Sequence, residues 1–164
     1  TLALADHNGP VYLRFGRPKV PVFTDPDQRF EIGKGIKLID GSDVTIVATG
    51  HLVWESIKAA KALNESGISA EVINIHTIKP LDKKIILESV AKTKCIVSAE
   101  EHNFLGGLGE SVSRVLSENI PLPQEFIATR DTFGESGTPA QLMEKYGLNS
   151  TSIVEKVKKV ISRK

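Results

Sequence analysis

Two turns in this chain hold the residues best suited by type and spacing to do chemistry. The first is Gly106-Gly107-Leu108-Gly109, which follows Glu100-Glu101-His102-Asn103 and precedes Val112, Val115 and Leu116 at helical spacing. Amides of a glycine turn at a helix N-terminus can hold a phosphate. The spacing here is not G-x-G-x-x-G, though, and no Lys-Ser/Thr pair follows as in a P-loop. Glu100, Glu101 and Glu110 would also repel an anion. A tight turn with close helix packing is the plainer expectation, with the acidic pair contacting loops or another subunit. The second turn is Gly16-Arg17-Pro18, with Arg14 and Lys19 close by. A rigid turn presenting a guanidinium can grip a phosphate through two parallel hydrogen bonds. A solvated linker arginine is the alternative, and the residues alone leave both open.

Other reactive residue types do not assemble into a constellation. His7, His51, His76 and His102 are scattered, and no pair has the H-x-x-x-H spacing of a metal site. His51 stands where a strand-to-helix turn is expected, the edge at which open α/β sheets place ligands. A histidine facing solvent near a helix N-terminus is the simpler reading. Cys95 has no proton-abstracting neighbour in sequence and reads as a buried strand thiol. Ser111 and Ser136 lack the G-x-S-x-G elbow. Trp54 is a candidate core or interface anchor. No catalytic residue and no metal ligand is expected from this chain alone.

The elements that must position these turns follow from hydrophobic periodicity. Ile36–Ile39 and Val44–Ala48 are β-branched runs separated by Asp40-Gly41-Ser42-Asp43, a spacing that predicts an antiparallel hairpin. Val53, Ile57, Ala60 and Leu63 mark one helix face, with Gly67 as a left-handed stop. Glu71–Ile75 reads as a strand, and Asp82 as the N-cap of a helix bearing Ile85, Ile86, Leu87 and Val90. Cys95 to Leu116 is a strand, the glycine turn and a helix. Glu125–Ala128 is a last short strand. Thr138-Pro139-Ala140-Gln141 is a capping box with proline at N1, and that helix ends at Gly147. Ile153, Val154, Val157, Val160 and Ile161 predict a terminal amphipathic helix. Alternating strands and helices imply parallel pairing and right-handed crossovers. The expected fold class is α/β: a three-layer α/β/α domain on a mixed five-stranded sheet, mostly parallel with one antiparallel edge strand.

Residues before position 25 read differently. Val11–Phe15 alternates like a strand, and Pro10, Pro18, Pro21 and Pro26 argue for an extended connector. A lone strand cannot bury its faces, so it is expected to finish a preceding domain. The chain starts at Thr1 and reads as a piece of a longer polypeptide, with residues 1–24 a tail and linker and 25–164 the main domain. Its 164 residues carry a net charge of +1 with 40% hydrophobic and 25% charged residues, which favours neither nucleic acid nor a membrane partner. No apolar run approaches the ~20 residues that span a bilayer. A single cysteine excludes an intrachain disulfide and fits a reducing, cytoplasmic setting.

Several stretches together resemble the C-terminal part of a transketolase, a thiamine diphosphate-dependent enzyme family. Gly9-Pro10-Val11-Tyr12-Leu13-Arg14-Phe15-Gly16-Arg17 resembles the last strand of that family's pyrimidine-binding domain and the arginine turn after it. Val72–Ile75 with Lys79-Pro80-Leu81-Asp82 resembles a pattern shared with deoxyxylulose-phosphate synthases and 2-oxo acid dehydrogenase β subunits. Glu100–Asn103 with Gly106–Gly109 is shared in the same broad form. Phe133-Gly134-Glu135-Ser136-Gly137, followed by Tyr146-Gly147-Leu148, looks like transketolase proper. The compact Glu-Glu-His-Asn form resembles the two-subunit enzymes of archaea and many bacteria.

The resemblance implies a division of roles. The complete enzyme would move a two-carbon ketol unit between sugar phosphates, as in the pentose phosphate pathway, with thiamine diphosphate and magnesium held by two preceding domains at a dimer interface. This C-terminal part would be structural and inactive by itself, binding no cofactor. Its partners would be an N-terminal section or subunit, a homodimer mate and sugar phosphates. Arg17 matches the arginine that binds the substrate phosphate, although the family turn often reads Ser-Arg-Gln-Asn where this chain has Gly16-Arg17-Pro18-Lys19. Glu101, His102 and Asn103, at the end of the acidic strand, are candidate interface residues. The alternatives are the C-terminal domain of a 2-oxo acid dehydrogenase β subunit or deoxyxylulose-phosphate synthase, which the Phe-Gly-x-Ser-Gly stretch disfavours, and a stand-alone regulatory nucleotide-binding module using the glycine turn.

Overall fold

A computed structural model of the chain describes residues 1–16 and 18–164. Its centre is β2, Val44–Ala48, every residue of which is buried. Alternation splits that strand between two cores. Val44, Ile46 and Ala48 face one helical layer and Val47 the other. Thr45 also turns to the second side, where its hydroxyl meets Ser89 at 2.5 Å and Thr93 at 2.6 Å.

Around β2 the other strands are β1 (Ile36–Ile39), β3 (Ala70–Asn74), β4 (Ile96–Asn103) and β5 (Gln124–Thr129). The sheet order is β1-β3-β2-β4-β5. Pairs β3–β2, β2–β4 and β4–β5 are parallel, and β1 lies antiparallel on the edge against β3. Helices α2 (Leu52–Glu65) and α6 (Ser150–Ile161) bring Leu52, Ala59, Leu63, Ile153, Val157 and Val160 to one face. Helices α3 (Lys83–Thr93) and α4 (Leu108–Asn119) bring Ile86, Val90, Leu108, Val112 and Leu116 to the other. The three-layer α/β/α expectation, mostly parallel with one antiparallel edge, holds. Two short helices complete the chain, α1 (Leu2–Ala5) and α5 (Pro139–Lys145). Asp82 caps α3 by accepting from Ile85, and Thr138 forms the expected box with Gln141.

Two expectations fail. The hairpin does not form, because β1 pairs with β3 instead of β2. The Asp40–Asp43 turn is tied instead to the loop before β3: the Ser42 and Asp43 amides both donate to the Ser69 carbonyl, and the Asp43 carboxylate accepts from the Ser69 amide at 2.7 Å. Gly41 lies so close to the Ala70 backbone that any Cβ there would overlap it. The chain thus crosses the end of β3 before entering β2. Val11–Phe15 is not a strand either. It has no ladder partner among the described residues, and Tyr12 and Phe15 are 88% and 82% exposed. No helix among the described residues is long and apolar enough to cross a membrane.

Three glutamates are buried within this frame, and two of them are paired with cations. Glu71 on β3 meets Lys92 at 2.5 Å. Glu125 on β5 meets Lys156 at 3.0 Å and Arg163 at 2.6 Å. Burial is the largest single influence and pushes both carboxyls up, but hydrogen bonds from Lys92 and Ser89 to Glu71, and from Lys159 and Lys156 to Glu125, together with the charges of these lysines and of Lys37 beside Glu71, outweigh it. Both groups are held below the ordinary glutamate value. Their stabilisation is therefore complete above the unfolded pKa of about 4.3 and lost as pH falls through the folded values. The urea midpoint should drop between pH 7 and pH 3, and a Glu71→Gln, Glu125→Gln double variant should lose less over the same interval. An equal drop in both proteins would contradict this.

Candidate functional site

The ends of the parallel strands form the edge where open α/β sheets bind ligands. Here β2 ends at Ala48 and β4 at Asn103, and the β4–α4 turn lies beside them. Glu100 belongs to β4 and is 3% exposed. A carboxylate so buried needs compensating donors. Its two oxygens accept from the amides of Leu108 at 2.7 Å and Gly109 at 2.8 Å. Those amides open α4, whose positive end adds to the attraction. A Cβ at Gly107 would overlap the carboxylate, and one at Gly109 would lie 2.6 Å from Phe126 and 2.9 Å from Ser98 Oγ. The glycines are required by close approach, as the plainer reading of this turn anticipated.

Three further amides of the turn are similarly engaged. Gly106 donates to the Glu110 carboxylate at 2.7 Å and Leu105 to Asn103 Oδ1 at 2.9 Å. Phe104 donates to the Thr129 carbonyl. A phosphate arriving here would meet two carboxylates and few open donors. The residues do not fit a diphosphate or a nucleotide, and among those described no group of three or more His, Cys, Asp or Glu side chains could share a metal ion.

The rest of the edge is polar and interlocked. Asn103 also donates to the Asp131 carboxylate at 3.0 Å, joining the β4 end to the loop after β5. Asp131 has a φ of 44°, a conformation rarely adopted without local support. His51, at the N-cap of α2, has Nε2 3.7 Å from Glu101 Oε2. Arg14 donates to the Glu101 carbonyl at 3.3 Å. His102 is exposed, and its Nδ1 donates to the Asn103 carbonyl at 2.8 Å. Glu101, His102 and Asn103 thus share one outward rim. Arg17 lies outside the described residues.

Other candidates have structural roles. Cys95 is buried, its thiol pKa pushed up by burial, and its Sγ donates to the Asp43 carbonyl. Ser111 bonds the Gly107 carbonyl within α4. Trp54 does not enter the core but stacks on Phe23 with centroids 6.1 Å apart. His76 lies tilted against Phe30 with ring centroids 4.3 Å apart, and burial lowers its pKa. The sequence did not reveal Glu100 as an internal cap. The available signal was an acidic residue directly following the buried run Ile96–Ala99, close in sequence to a glycine turn whose amides could satisfy it.

The family described as transketolase, C-terminal domain, matches residues 33–153. The chain is 44% identical over 159 residues to the 6-deoxy-6-sulfo-D-fructose transketolase subunit of Clostridium sp. strain MSTE9, covering 96% of this chain and 49% of that subunit. It therefore spans about half the length of that relative. It is 37% identical over 153 residues to the 1-deoxy-D-xylulose-5-phosphate synthase of Trichormus variabilis, covering 91% of this chain and 24% of that enzyme. A solved structure described as a split gene transketolase, inactive beta4 tetramer, superposes with a TM-score of 0.93 at 46% identity, covering 96% of this chain and 52% of that one.

Replacing Glu100 with alanine should lower stability by about 2–3 kcal/mol, because two buried amides lose a charged acceptor. Glu101→Ala, at the exposed rim, should stay within about 0.5 kcal/mol. Denaturant unfolding measures both, and equal losses would show that the buried cap is not special.

Proposed function

The chain belongs to the transketolase C-terminal domain family, and on that premise we propose that it is the C-terminal part of a two-part transketolase. The complete enzyme transfers a two-carbon ketol unit from a ketose phosphate to an aldose phosphate in the cytoplasm. Thiamine diphosphate supplies the covalent chemistry in such enzymes, and in this reading it and magnesium are held by an N-terminal section or subunit. The observation that carries the reading is the filled helix N-terminus. Glu100 occupies the anion seat of the Gly106–Gly109 turn, so in this reading the domain serves as a scaffold and the reactive site is brought by another section or subunit.

Within this proposal residues 1–24 close the preceding pyrimidine-binding domain and link it to residues 25–164. Arg17 binds the phosphate of the sugar. The rim of Glu101, His102 and Asn103 faces another chain, within an enzyme that also forms a homodimer. The likeness to the Clostridium subunit supports a two-part enzyme acting on sugars. The likeness to a deoxyxylulose-phosphate synthase keeps that neighbouring reaction as the competing reading, and Phe133-Gly134-Glu135-Ser136-Gly137 disfavours it.

The test mixes the purified chain with its N-terminal section, thiamine diphosphate and magnesium. Ribose 5-phosphate plus xylulose 5-phosphate should give a seven-carbon and a three-carbon product only when both parts are present. Turnover of a 2-oxo acid instead, with release of carbon dioxide, would overturn the proposal. In the active mixture, Arg17→Ala should raise KM for the sugar phosphates at least about tenfold, the scale of losing one charged contact. An unchanged KM would remove Arg17 from the site.

A further inference from the structure

The end of β3 leads into a buried polar atom that the preceding account leaves without a role. His76 follows that strand, and its Nε2 is buried with no hydrogen-bond partner among the described residues. The other ring nitrogen, Nδ1, lies 2.9 Å from Thr77 Oγ1. Buried polar atoms are nearly always partnered, so an orphan calls for a physical reason. Phe30 covers it. The two rings have centroids 4.3 Å apart, while Phe30 itself stays 47% exposed. Phe30 belongs to a strap, residues 24–34, that leads into β1 and is exposed along most of its length. Among the described residues, the hydrogen bonds of the strap are internal to it: the Asp27 and Gln28 amides donate to Asp25, and the Lys34 amide to Glu31. The first bond to the body comes at Gly35, whose amide donates to Asp82 Oδ2 at 2.9 Å. Gly33, with a φ of 82°, lies against Pro80 just before that pin. The strap is thus pinned at its end and docked beyond the pin by the contact of Phe30 with His76.

We propose that Phe30 and His76 form a pH-sensitive latch: the strap stays closed while the imidazole is neutral and lifts when it is protonated, letting water reach Nε2. In the neutral ring, Nδ1–H can donate to Thr77 while Nε2 keeps an unshared lone pair. Protonation adds a charge and an N–H donor at a buried place that offers no acceptor. The charged and titratable groups on the surrounding segments are Arg29, Glu31 and Lys34 on the strap, Lys37 on β1, His51 after β2, and Lys79 and Asp82 after β3. None of them offsets that penalty, and burial alone holds the His76 pKa below its ordinary 6.5. Opening the strap hydrates the ring and relieves the shift. Closure is therefore undiminished above about pH 6.5 and weakens as pH falls below it, by up to about tenfold per pH unit. The latch does not depend on the ketol-transfer reading.

The full chain provides the test, with two readouts. In an NMR titration of the histidine rings, His76 should titrate below the ordinary histidine value, and Phe30→Ala should move it up toward that value. Trypsin cleavage after Arg29, scaled at each pH to an unstructured reference peptide, reports opening of the strap. Between pH 7.5 and pH 5.5 the scaled rate for the wild type should rise about three- to tenfold. His76→Leu should remove that response, and Phe30→Ala should be cleaved fast at both pH values. A His76 pKa that stays put in Phe30→Ala would overturn the latch, as would a wild-type cleavage rate that does not change with pH, or an equal response in His76→Leu. Phe30 is half-exposed, so Phe30→Ala decides the matter even where His76→Leu fails to fold.

Discussion

One buried carboxylate organises the functional edge of this domain. Glu100 is surrounded by protein, where an unpaired charge is strongly disfavoured, yet it needs no lysine or arginine. Its partners are the Leu108 and Gly109 amides at the start of α4. These amides need acceptors in any case, since the first turn of a helix has none of its own. The two requirements cancel each other, and the result locks α4 against β4. Gly107 and Gly109 follow from this contact, because Cβ atoms there would strike the carboxylate, Phe126 or Ser98. The same contact decides what the site does not do. A glycine turn that elsewhere would cradle an anion already holds one of its own.

The other buried glutamates are handled by a different device. Glu71 and Glu125 lie on β3 and β5 and recruit lysines and an arginine whose heads remain partly solvated. Charge is therefore satisfied by side chains on the flanking strands and by backbone near the middle of the sheet. That arrangement leaves the helix terminus beside β4 inside the fold and turns the rim of Glu101, His102 and Asn103 outward. A domain built this way is suited to hold other segments in place, in keeping with a family whose covalent chemistry belongs to a cofactor.

Much of the fold was legible because local signals agreed with one another. Short runs rich in β-branched apolar residues marked the strands, while Asp82, Thr138 and Gly67 marked where helices begin and end. What failed was non-local. The Asp40–Asp43 turn has the length of a hairpin loop, but Asp43 and Gly41 engage Ser69 and Ala70 far along the chain. Alternation in Val11–Phe15 resembles a strand, yet a strand exists only with a neighbour to share its hydrogen bonds. In the site, the glycine turn was readable as a close-packed turn, whereas Glu100 as its cap was not. No i,i+3 pattern announces a carboxylate eight residues upstream of the amide it holds. The approach of Phe30 to His76, over a still longer separation, has no sequence signature.

The central claim is that the anion seat of this domain is filled from within and that the reactive group is held elsewhere. Isothermal titration calorimetry of the isolated chain with thiamine diphosphate and magnesium tests it most directly. The account predicts no heat beyond dilution. Saturable binding in the micromolar range would contradict it.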